Sequence, residues 1–138
     1  MEIGDYIFPD DLLYDQVHNW ARVEGKTAII GLSDFGQEIA GEILYAELPR
    51  VGRDIVAGEP FMSLESGKWV GRIKAIVSGR IIEANQELEW ESTLINADPY
   101  GEGWLAKVEL NEEPQGLLRT DDPTFAELIE AERTKYSK

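Results

Sequence analysis

Apolar residues fall along this chain in short blocks, most of them bounded by glycine, proline or charged residues. Alternating or continuous apolar runs over residues 19–23, 27–32, 41–48, 61–65, 73–77, 79–84 and 104–110 predict strands. Their spacing of about 8–12 residues predicts a sandwich or barrel rather than alternating strand and helix. Three segments predict helix. Ser33 caps a short one over residues 34–40, with Gly41 closing it. Residues 85–92 predict a polar turn or helix that buries Leu88 and Trp90. The tail is the clearest: Asp122 as cap, Pro123 at the first helical position, then Phe125, Leu128 and Ile129 at helical spacing, predicting a helix over 122–135. Residues 98–103 form a turn-rich loop, and 111–120 connect the last strand to the tail helix. No linker divides residues 1–138, so the pattern predicts one mainly β domain with a C-terminal helix; residues 1–11 carry no assigned role.

Charge and composition narrow the chemistry. Twenty-seven acidic against thirteen basic side chains leave a net charge of −14. That balance argues against nucleic acid or an anionic membrane as partner, because both need clustered Lys and Arg. It is compatible with steering towards basic rims of partner proteins. With no cysteine, disulfides, thiolate metal sites and cysteine nucleophiles are excluded. A lone histidine, His18, excludes a multi-histidine metal site, and a structural role suits it better than a catalytic one. No apolar run approaches the roughly 20 residues of a membrane span, and the N-terminus lacks the basic start of a signal peptide. A cytoplasmic monomer with no metal is the expectation.

One turn stands out. Residues 51–61 and 75–82 are rough counterparts, each a glycine turn followed by an apolar strand, and they flank Leu64-Glu65-Ser66-Gly67-Lys68-Trp69-Val70-Gly71. A strand enters, Gly67 permits positive φ, and Lys68 stands at the expected tip of a hairpin. An exposed primary amine there is open to acylation. A lysine at a turn is also often no more than a solvated charge.

The surrounding motifs lift it above that. The chain resembles the glycine cleavage system H protein family in His18-Asn19-Trp20-Ala21-Arg22-Val23-Glu24-Gly25, in residues 28–38 and in Glu47-Leu48-Pro49-Arg50-Val51-Gly52. It resembles the family further in Ala57-Gly58-Glu59-Pro60-Phe61, in Glu65-Ser66 with Lys68, in Val77-Ser78-Gly79, and in residues 96–105 with their Asp98-Pro99-Tyr100-Gly101-Glu102-Gly103-Trp104 block. These matches are collinear from about residue 14 to residue 110. The resemblance implies a barrel-sandwich hybrid of two packed sheets with short peripheral helices. It also implies a carrier without catalytic residues of its own, with lipoic acid in amide linkage on Lys68 and Glu65, Ser66, Gly67 and Trp69 around it. A lipoate ligase or lipoyltransferase would attach the group.

Two positions depart from the family. Its acidic contacts to the cationic aminomethyl cargo, in His-Glu-Trp and four residues after the lipoyl lysine, are here Asn19 and Arg72. Two like charges about 4 Å apart cost on the order of 4 kcal/mol at surface dielectric, less when exposed. Arg72 therefore suits an anion better than an ammonium. These departures resemble the lipoate-binding proteins that serve a heterodisulfide reductase-like complex in sulfur oxidation. The leading expectation is accordingly a carrier of sulfur intermediates, with His18, Asn19 and Arg72 as arm or cargo contacts. The alternative is an H protein working with glycine decarboxylase, aminomethyltransferase and dihydrolipoyl dehydrogenase. An unmodified interaction scaffold is the reading from another class.

Overall fold

The structure, a computed structural model, describes residues 1–136. Its strands are β1 (Glu2–Ile3), β2 (Tyr6–Ile7), β3 (Leu13–Tyr14), β4 (Asn19–Glu24), β5 (Thr27–Leu32) and β6 (Ile43–Glu47). They continue with β7 (Asp54–Ile55), β8 (Pro60–Ser66), β9 (Val70–Lys74), β10 (Gly79–Ala84) and β11 (Ala106–Leu110). The helices are α1 (Asp34–Ala40), α2 (Leu94–Ala97) and α3 (Pro123–Tyr136), with a 3-10 turn at Gln86–Glu89. A six-stranded sheet in the order β3-β4-β5-β11-β10-β7 packs against a three-stranded sheet, β6-β8-β9, and β1 pairs with β2 alone. Every pairing is antiparallel. The predicted mainly β architecture of packed sheets with peripheral helices is the one observed.

Alternation in β4 sorts two cores. Ala21 faces the space between the sheets, where Ile30, Ile43, Phe61, Leu64, Ile81 and Val108 meet it. Trp20 faces the other way, into a second cluster with Phe8, Leu12, Tyr14, Phe35, Phe125 and Ile129. The sequence left residues 1–11 unassigned, yet Ile3 and Phe8 are buried there, and β1 of the hairpin packs against α3. The Asp98–Gly103 loop braces this core from behind: Trp20 Nε1 donates to Pro99 O at 2.9 Å, and Tyr100 Oη donates to Ile7 O while accepting from the Asp34 amide.

The two counterpart segments pair with each other, Asp54 opposite Arg80 and Ile55 opposite Gly79. Two expectations are corrected. The strand expected at 73–77 runs instead over Val70–Lys74, because the hairpin turn is short and Glu65 pairs directly with Val70. Ala75, Ile76 and Val77 then drop into the core, with the Ala75 amide bonded to Glu59 O. Trp90, expected to be buried beside Leu88, is 71% exposed. The segment forms a 3-10 turn over Gln86–Glu89 that buries Leu88 and ends before Trp90, which caps it from outside the core.

Candidate functional site

Lys68 is exposed at the tip of the β8–β9 hairpin. The turn closes with the Ser66 amide donating to Trp69 O at 2.7 Å. Glu65 is exposed and lies between Tyr45 and Val70 in register. Gly67 does not adopt the positive φ expected of it. The Ser66 side chain shapes this turn instead: its buried hydroxyl donates to Ala40 O at 2.6 Å and stands 3.3 Å from the Lys68 amide, which donates to it. Ala40 O is one of the carbonyls that the end of α1 leaves without a helical partner, so the hairpin and the helix terminus satisfy each other. Ser66→Ala strands that carbonyl, at a cost of about 1–3 kcal/mol. Urea unfolding should show it as a lower midpoint with an unchanged m-value.

The rest of the α1 terminus is shaped around Lys68. Gly41 closes the helix at φ +85°, and a Cβ there would stand 2.6 Å from Lys68 Cε. Glycine at this position thus serves both the left-handed cap and the passage of the lysine stem. Lys68 Nζ rests 3.4 Å from Glu38 O, a weak contact for a cation at a helix C-terminus. Asn96 holds the same corner, donating to Gly41 O at 2.8 Å and accepting from the Ile43 amide at 2.9 Å. Lys68 borders a shallow hollow with Gln37, Glu38, Gly41 and Glu42. The residues present therefore fit an acylated lysine: an open amine, a cleared stem and a tethered turn.

A cleft of about 310 Å³ opens on the other side of α1's last turn. It is lined by His18 and Asn19 at the start of β4, by Ile39 and Ala40 of α1, by Trp69, Arg72 and Lys74, and by Glu132 of α3. Trp69 reaches it by folding back across Gly71, where any Cβ would overlap the indole ring. The structure thus brings His18, Asn19, Trp69 and Arg72 together, with Lys68 one residue from Trp69, while Glu65 and Gly67 lie outside the cleft lining.

Asn19 is 3% exposed, and its side chain is largely spent on structure. Nδ2 donates to Asp15 Oδ2 at 2.9 Å and to Lys74 O at 3.0 Å, which pins the end of β9 to β4. Asp15 accepts in addition the amides of Asn19 and Val17, in a turn that places His18 at φ +70°. Burial pushes the Asp15 carboxyl up, against the lowering effect of those hydrogen bonds. His18 Nε2 lies 3.3 Å from Glu132 Oε1. Sequence reading missed Glu132, although helical spacing offers the signal: it is seven residues beyond Phe125 and three beyond Ile129, which are buried in α3.

Burial holds the His18 imidazole below its ordinary value of 6.5, outweighing the Glu132 carboxylate, which raises it. A depressed folded-state pKa means the unfolded chain takes the proton first. The stabilisation is complete above 6.5 and lost as pH falls through the folded pKa, by at most about 1.4 kcal/mol per pH unit. Stability measured from pH 7 down to pH 5 should fall more steeply for the wild type than for His18→Asn, since asparagine tolerates the same left-handed backbone. Equal slopes would show that the ring's protonation is not linked to folding.

The sequence profile of the Glycine cleavage H-protein family matches residues 12–132. The chain belongs to that family. Among its relatives, the glycine cleavage system H protein of Rubrobacter xylanophilus is 45% identical over 124 residues, spanning 90% of this chain and 96% of that protein. The one from Thermotoga maritima is 39% identical, spanning 86% and 96%. The crystal structure of a glycine cleavage system H protein from Mycobacterium marinum superposes with a TM-score of 0.79 at 29% identity, covering 91% of this chain and 98% of that one. H proteins are lipoyl carriers acting with partner enzymes, not enzymes, and bear lipoic acid on a lysine. The expected sulfur-oxidation pathway is overturned: relatives at 39–45% identity over most of their length bear the glycine cleavage name. With it goes the heterodisulfide reductase-like partner. In the cleft, Asn19 serves as a structural clamp, so its lack of a carboxylate does not report on the cargo, and Glu132 of α3 lines the same wall. Among the described residues, no helix is long and apolar enough to cross a membrane.

Proposed function

We propose that the protein is the H protein of a glycine cleavage system, lipoylated on Lys68. On this reading the protein's partners are glycine decarboxylase, aminomethyltransferase and dihydrolipoyl dehydrogenase, between which it would carry an aminomethyl group. The observation that carries the reading is the exposed Lys68 amine at a turn tethered by Ser66, beside a cleft lined by His18, Asn19, Trp69, Arg72 and Glu132. A ligase or lipoyltransferase joins the lipoate carboxyl to Nζ as an amide, which removes the lysine's charge. The bound group supplies the dithiolane sulfur on which cargo is carried. This chain's own residues hold the arm's root and line the cleft, Trp69 among them. Glu65 and Gly67, exposed at the turn, are where the attaching enzyme would grip the hairpin.

Intact mass and reconstitution test it together. Protein from a lipoylation-competent host should carry one lipoyl increment, and incubation with glycine and glycine decarboxylase should add an aminomethyl increment to it. An unmodified mass from such a host would leave an interaction scaffold as the reading. A lipoylated chain that refuses the aminomethyl group would sink the pathway while leaving the carrier.

A further inference from the structure

Two residues that line the cleft carry buried acceptors that the chain itself leaves unused. Asn19 Oδ1 is buried without a partner, and the amide cannot be turned round, because Nδ2 already faces two acceptors, Asp15 Oδ2 and Lys74 O. His18 Nδ1 is also buried without a partner; in the neutral ring that donates from Nε2 to Glu132, it is an acceptor. Glu132 is 22% exposed at its side chain and meets only the edge of that ring. Unpartnered buried acceptors are rare, and together with a half-buried carboxylate they call for an occupant that donates hydrogen bonds and carries positive charge.

We propose that Glu132, assisted by Asn19 Oδ1, receives the ammonium of the arm's aminomethyl cargo in this cleft. The proposal rests on the H-protein reading above and supplies it with the carboxylate that residues 19 and 72 do not. Lys68 and the cleft lie on opposite sides of α1's last turn, Gln37, Glu38 and Gly41 bordering one and Gly36, Ile39 and Ala40 the other. A helix is about 10 Å across, a span within reach of a lysine extended by a fatty acyl chain. Arg72 and Lys74 oppose the cation, but both are exposed, so water screens them, whereas Glu132 faces the occupant from a partly desolvated wall.

The test uses the whole lipoylated protein, loaded with glycine and glycine decarboxylase and then separated from that enzyme. The readout is the rate at which ammonia leaves the loaded arm. Glu132→Gln, an isostere, should release it about tenfold faster, the effect of losing one charge-assisted hydrogen bond. Arg72→Gln should release it more slowly, and Glu130→Gln, on the exposed side of α3, at the wild-type rate. In parallel, the His18 ring nitrogen resonances should move on loading in the wild type, as Glu132 turns to the cargo, and stay in place in Glu132→Gln. Equal lifetimes in wild type and Glu132→Gln with both proteins loaded overturn this assignment and leave the H-protein reading intact. Failure of the wild type to load at all removes both.

Discussion

Replacing Lys68 with arginine should abolish the lipoyl mass increment and every activity that depends on it, while leaving the fold as it is. Arginine keeps the positive charge and nearly the length of the side chain. Its guanidinium, however, stays protonated in proteins and offers no free amine to acylate. The exposed head makes only the long contact to Glu38 O, so the change in stability should stay within about 0.5 kcal/mol. Lys74 is the nearest other lysine in sequence, but it ends β9 with its carbonyl held by Asn19 and offers no turn for an attaching enzyme to grip. Intact mass of both proteins from the same lipoylation-competent host decides the matter. An increment that survives in Lys68→Arg would place the acyl group on another amine and take the site assignment with it.

The local features of the site were readable along the chain, and the features built across it were not. The α1 helix begins and ends where Ser33 and Gly41 say it should, because a cap needs only its own backbone neighbours. Strands β4, β5 and β10 likewise follow from alternation that one face of a sheet enforces. Lys68 stands at a hairpin tip as the glycine-rich turn implied, although Ser66, not a left-handed Gly67, sets its shape. What failed was any inference needing a partner distant in sequence. Asn19 looked like a lost cargo carboxylate because its clamp to Lys74 O spans 55 residues. Glu132 is 114 residues from the histidine it touches, so the carboxylate count that favoured a sulfur anion omitted the one brought in by α3.

Phe125→Ala should be among the most destabilising single changes in the chain and should also shorten the lifetime of a loaded arm. Phe125 is 1% exposed, with its ring 5.1 Å from Phe8 and 4.8 Å from Tyr14, between centroids. Truncating a buried phenylalanine costs about 3–5 kcal/mol, which for a chain of this size lowers Tm by roughly 10–15 °C. The loss would not be spread evenly. Among the described side chains of α3, Phe125 and Ile129 are the fully buried ones, so the helix should open before the sheets do, and amide exchange over residues 125–135 should accelerate first. Because Glu132 sits on that same helix, loosening it withdraws the carboxylate from a cleft whose other walls are untouched. Phe125→Ala should therefore mimic Glu132→Gln in ammonia release at temperatures well below its own melting point. A protein with lowered Tm but a wild-type lifetime would show that α3 braces the fold without contributing to the cargo cleft.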